Sequence, residues 1–248
     1  MFSEVKKCLV LGVPLAAAQL AQSATGFVDT VMMGWLGSQT IASGALGVTI
    51  FSFSLLIVTG IFSAISPLAA QAYGAGDREK VGTIVRLGLG ISLVLGIPIT
   101  LLLYNGGALL LLLGQDAKAV ALAEIYLRAI ALGFIPALGF AVLKSFLSAL
   151  LQPQLVMVTV VLGTLLNITA NYVLMFGKLG FPALGLAGIG WASTLSLWSM
   201  FVALIVYICN QPNFAVYGIF RPSSKKAFPQ SIVGSLARFF RLDCPLGG

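Results

Sequence analysis

The 248-residue chain is 59% apolar and only 8% charged, with a mean hydropathy of +1.04. Soluble domains run at roughly 45–50% apolar and about 25% charged, so there is too little polar surface here to cover a water-soluble globule. The net charge of +7, from 14 basic and 7 acidic residues, would suggest nucleic acid on a soluble protein. Here the bases fall in short stretches between apolar blocks, the pattern of cytoplasmic loops, and no nucleic-acid partner is expected.

Blocks with few charges run over 9–35, 42–70, 84–104, 119–143, 154–176 and 187–209. Each can cross a hydrocarbon core of roughly 30 Å as a helix, so the expected fold class is an all-α membrane protein with six transmembrane helices. Lys6 and Lys7 before the apolar run Cys8–Ala18 mimic a secretory signal, but the run continues to Trp35, too long for a cleaved leader. The connections are short. Tyr73-Gly-Ala-Gly-Asp77 lacks the Gly-Lys-Ser/Thr ending of a phosphate loop and reads as a turn. The segment 105–118 has room for a short helix. Pro153 marks a helix start, and 177–182 is a glycine and proline turn.

With six spans, the terminal segments and even-numbered loops hold 11 bases, and the other side holds three, Lys118, Arg128 and Lys178. That asymmetry puts both termini in the cytoplasm. The expected layout is a six-helix lobe over 1–210, a basic cytoplasmic linker over 211–240, and the start of a seventh helix over 241–248. The last segment, Arg238–Gly248, echoes Lys7–Ala17, with Pro245 matching Pro14 and Leu242 matching Leu11. Transporters are often built from such internal repeats.

Polar residues inside the spans carry the chemistry. Asp29 is the one acidic residue within them besides Glu124, which lies near a span edge. A carboxylate near mid-bilayer costs between about 2.5 and more than 10 kcal/mol, so Asp29 must be protonated, paired or placed in a polar cavity. On the first helix Gln19, Gln22, Gly26, Asp29 and Thr30 recur at spacings of three and four and share a face. Such a face is either a helix-packing cluster or a proton or sodium site. The fifth helix repeats the pattern with Thr164, Asn167 and Asn171. Their carboxamides offer carbonyl oxygens to a hard cation and N–H donors to a carboxylate, or serve as interhelical glue. The sixth helix opens on Gly185, Gly188 and Gly190, which permit close backbone approach, followed by Ser193, Thr194 and Ser196. Trp35, Trp191 and Trp198 suit an interface or the interior. No histidine is present, and the three cysteines, Cys8, Cys209 and Cys244, are far apart. No acid–base pair or triad emerges, so no enzyme, no cofactor and no fixed metal is expected.

Four segments carry a family resemblance. Pro14 with Phe27–Gly37, Pro67–Asp77, Asn167–Gly177 and Phe181–Ser193 are similar, in order and spacing, to helices one, two, five and six of the MATE (multidrug and toxic compound extrusion) transporters. The NorM/DinF-like branch is the nearest in detail. The resemblance implies an antiporter of two six-helix lobes in the inner membrane that exports hydrophobic or cationic small molecules against sodium or proton entry. It places cation or proton coupling at Asp29, Asn167 and Asn171, with sodium held at Asp29 and Asn171. Gln19, Gln22, Thr30, Thr164, Ser193 and Thr194 then line the cavity. Ser193 stands where the family usually has threonine. The family has about twice as many helices, so this chain resembles an amino-terminal lobe, a fragment inactive without a second lobe. Alternatives are a six-helix half-transporter working as a homodimer, or a lipid flippase-like protein. Flippase cavities are basic, and around the fourth span only Arg128, within it, and Lys144, at its edge, could supply such a lining.

Overall fold

The structure is a computed structural model that describes residues 2–219, with side chains described from residue 12 onward apart from 213 and 215. The described residues form helices and turns only: α1 (Phe2–Trp35), α2 (Ser38–Phe62), α3 (Ile65–Gly74), α4 (Arg78–Tyr104), α5 (Gly106–Leu112), α6 (Ala117–Ala131), α7 (Phe134–Ala149), α8 (Pro153–Phe176), α9 (Leu186–Asn210) and α10 (Pro212–Ala215). The expected seventh-helix start at 241–248 and most of the basic linker lie outside the described residues, as do the side chains of Lys6, Lys7 and Cys8.

The six-span expectation is met only in part. Four stretches are long and apolar enough to cross a membrane: Ser38–Gly74, Arg78–Tyr104, Pro153–Phe176 and Leu186–Asn210. A fifth exists if α6 and α7, bent by 49°, count as one broken span. The 34 residues of α1 reach about 50 Å, and the apolar side chains that open its block, 9–11, lie outside the described residues. The block 119–143, which reads as one span in the sequence, is two helices.

That bend has a local cause. Pro136 has no N–H to return to the carbonyl of Leu132 one turn back, and the N–H of Gly133 turns to Ile130 O at 2.8 Å. The carbonyls so released are satisfied from α9. Trp198 Nε1 donates to Leu132 O at 3.1 Å, and Thr194 Oγ1 donates to Ala129 O at 2.7 Å. A backbone carbonyl facing lipid or protein must find a donor, and α9 supplies two.

The core sits around α7, whose Phe134, Leu138, Leu143, Phe146 and Leu147 are wholly buried between α4, α3 and α9. α8 packs along both α1 and α9. Small residues set those distances, as membrane helix interfaces require. A Cβ on Gly190 would stand 2.7 Å from Ala129 Cβ, and one on Gly188 would stand 2.7 Å from the backbone of Leu174. α9 therefore lies backbone-close to both α6 and α8.

The connections follow their sequence signals. Asp77 caps α4 by accepting from the N–H of Lys80 at 3.0 Å. Pro153 opens α8, and Gly177 closes it at φ +67°. The first residues of the expected linker are packed: Phe214 and Tyr217 stack edgewise on Phe146, and Arg86 Nη1 donates to Gly218 O at 2.9 Å.

Candidate cation site

Asp29 lies six residues before the end of α1, about 9 Å along the axis. The ends of α1 and α8 and the starts of α2 and α9 share this end of the lobe. The carboxylate is 8% exposed. Its Oδ1 accepts from Asn171 Nδ2 at 2.6 Å, and its Oδ2 accepts from Ser193 Oγ at 3.3 Å. Asn171 Nδ2 also donates to Asn167 Oδ1 at 3.0 Å, and Asn167 Nδ2 donates to Ser193 Oγ at 3.2 Å. The four residues close a ring across α1, α8 and α9. No basic group pairs with Asp29 among the described residues.

Helix geometry explains the convergence. Asn167 and Asn171 are four apart on α8 and stack on one face, while Gly163 beneath them lets α9 approach. Ser196 Oγ donates to Gly163 O at 2.7 Å and fixes the register that delivers Ser193 to Asp29. Below the ring, Thr25 Oγ1 and Thr164 Oγ1 pair at 3.0 Å, and Thr164 Oγ1 also reaches Ala21 O at 3.3 Å. These contacts sew α1 to α8 a turn from the carboxylate.

A cavity of about 190 Å³ opens beside the ring, lined among others by Gln22, Thr25, Asp29, Thr164, Asn167 and Ser193. Asn171 does not line it. It is fully buried behind Asp29, and its Oδ1 has no hydrogen-bond partner. A buried amide oxygen without a donor beside a carboxylate is the donor set that a hard cation takes. A half-turn of the Asn171 amide exchanges that oxygen for the N–H group now facing Asp29.

Three expected cavity residues stand elsewhere. Gln19 is exposed and outside the cavity, and Thr30 is exposed with its hydroxyl on Gly26 O of its own helix at 2.9 Å. At 100° per residue they sit about 80° and 100° around α1 from Asp29, whereas Gln22 and Thr25 fall within about 40°. Thr194 is buried on the other side of α9, holding the α6 carbonyl at the bend. Conversely, Thr25 and Tyr126 line the cavity and were not picked out. Thr25 is four residues before Asp29, a legible signal. Tyr126 is an aromatic on an apolar helix, with no pattern to single it out.

Several apolar spans enclosing a buried polar ring beside a cavity define a multi-pass helical membrane protein. The MatE family model matches residues 14–173. A probable multidrug resistance protein NorM of Synechococcus sp. is 46% identical over 215 residues, 87% of this chain and 46% of that protein. A second NorM, from Synechocystis sp., is 44% identical over 89% of this chain and 48% of its own length. Among solved structures, the eukaryotic MATE transporter AtDTX14 superposes with a TM-score of 0.78 at 24% identity, covering 97% of this chain and 51% of that one. An outward-facing multidrug resistance MATE transporter of the MOP superfamily gives 0.76 at 25% identity, covering 88% and 48%. The chain belongs to the MatE family of membrane transporters. It spans about half the length of the curated relatives it matches.

Proposed function

We propose that this chain forms the amino-terminal lobe of a multidrug efflux antiporter in the plasma membrane, with six spans and the amino terminus on the cytoplasmic side. Asp29 is the point where sodium or a proton enters. The observation that carries this reading is the ring around Asp29: a carboxylate nearly sealed from solvent, hydrogen-bonded from two other helices and free of any basic partner among the described residues. A charge held so deep is expensive and is best explained by a positive species that comes and goes.

A cation at Asp29 replaces the donors of Asn171 and Ser193 with its own charge and takes up carbonyl oxygen from Asn171 and Asn167. A proton does the same by turning one carboxylate oxygen into a donor. Either event changes the bonds between α1, α8 and α9. Because the cation binds the rearranged ring better, it shifts the population toward that state. A lipophilic cation in the adjoining cavity feels the same carboxylate, so ion entry and cargo release compete.

The test is binding of a lipophilic fluorescent cation to the purified chain in nanodiscs. Sodium addition or acidification should displace the dye. Displacement by neither overturns the reading. In liposomes, the 248-residue chain alone should show no gradient-driven extrusion, because a polar cavity wall needs a facing lobe. Extrusion accompanied by a crosslinked dimer would favour the homodimeric half-transporter instead.

A further inference from the structure

Lys144 lies on α7 five residues before its end at Ala149, about 8 Å along the axis, at the opposite end of the lobe from Asp29. It lines a second cavity, of about 460 Å³, between α2, α3 and α7. None of the 15 lining residues is acidic, and no ion pair or hydrogen bond engages the ammonium among the described residues. A half-buried ammonium inside an apolar bundle favours a counter-charge, and none engages Lys144 among the described residues.

The hydroxyls around it point the same way. Ser145 and Ser148 share α7 with Lys144, and Ser66 approaches from α3. None of the three has a hydrogen-bond partner among the described residues. Ser63 and Thr59 nearby instead donate to carbonyls of their own helix at 2.7 Å. With Ser52 of α2, which also lines it without a partner among the described residues, the cavity presents one positive charge and four unengaged serine hydroxyls, a set that repels cations and can donate to a carboxylate or phosphate. Leu55, Phe62 and Phe140 supply an apolar wall beside it.

We propose that the Lys144 cavity is a binding site for the anionic group of an amphiphile, a carboxylate or a phosphate monoanion, with the apolar body lying on the α2 and Phe140 wall. Gln22, Ser52 and Leu197 line this cavity and the Asp29 cavity alike, so a molecule with a cationic and an anionic end reaches both. The site goes beyond the coupling reading of Asp29 and does not depend on which ion couples.

The experiment compares two forms of one rhodamine dye, the free carboxylate and its methyl ester, binding to the full 248-residue chain in neutral phosphatidylcholine nanodiscs. Fluorescence anisotropy should show the carboxylate bound about tenfold more tightly, the scale of one charge-assisted contact. Lys144→Gln should erase that preference while ester binding holds or tightens, and Lys144→Arg should keep it. Ester binding and helical circular dichroism verify that the variants fold. Equal binding of the two dyes to the unaltered chain overturns the proposal, and so does a preference that survives Lys144→Gln. Doping the discs with phosphatidylglycerol separates the sources. Selective loss of carboxylate-dye binding assigns the site to a lipid phosphate, and unchanged binding assigns it to a soluble amphiphile. A sodium titration on the same discs reads Asp29 separately, so a missing sodium effect with an intact carboxylate preference sinks only the coupling reading.

Discussion

The two cavities meet at Gln22, Ser52 and Leu197 and are chemical opposites. At Asp29 each carboxylate oxygen has a donor, and the donors come from two other helices. At Lys144 the charge stands with its neighbours' hydroxyls unused, on a helix otherwise buried in the core. The first centre is preorganised, its groups held by one another, so a change at one of them, such as a turn of the Asn171 amide, alters the bonds that tie three helices together. The second is an open socket that a ligand can fill without rearranging the lobe. Burial of charge therefore takes two forms within one lobe, a closed ring suited to switching and an open site suited to recognition.

The sharpest way to break that contrast is at the ring. Asp29→Asn should abolish displacement of a lipophilic cation by sodium or acid and weaken its binding at least about tenfold, read by fluorescence titration. An unchanged, still ion-sensitive affinity would make the ring mere packing. Next comes Gly190→Val. It forces a branched side chain onto Ala129 and should cost about 1–3 kcal/mol in reversible unfolding in bicelles, loosening the helix that carries Ser193. Trp198→Phe removes the donor to Leu132 O and should cost about 1 kcal/mol. In the Pro136→Ala background the cost should vanish, because the new N–H serves that carbonyl, and a double-mutant cycle reads the difference. The smallest effect is expected at Thr30→Val, within about 0.5 kcal/mol and without change in cation binding, since Thr30 bonds only its own helix.

Much of this was legible in the chain's order of residues. Asp29, Asn167 and Asn171 announce themselves because each is costly in lipid, and cost implies a partner, whereas Ser193 enters only through the family resemblance and its bond to Asp29 shows only in the fold. Spacings of three and four also find the right face of α1 and α8. Such spacings have a limited angular resolution, however: a residue 80–100° away at the usual 100° per step still looks like a neighbour, which is how Gln19 and Thr30 entered the set. Thr194 misleads differently. Its hydroxyl answers a need created on another helix, by Pro136 and Gly133, and no local pattern on α9 reveals it. The same proline divides a block of uniform hydropathy into α6 and α7. Lys144 reads as a loop-edge base until its serine neighbours on α3 and α7 are seen together.

The bend between α6 and α7 also has a history. Leu132 waits for a donor made 66 residues later. At translation rates of roughly 5–20 residues per second, that interval lasts about 3–13 s. During it, α6 and α7 carry a carbonyl that Pro136, lacking an N–H, cannot serve. The indole that completes it arrives only with α9, so this bend gains its cross-helix support after α6 and α7 have been made.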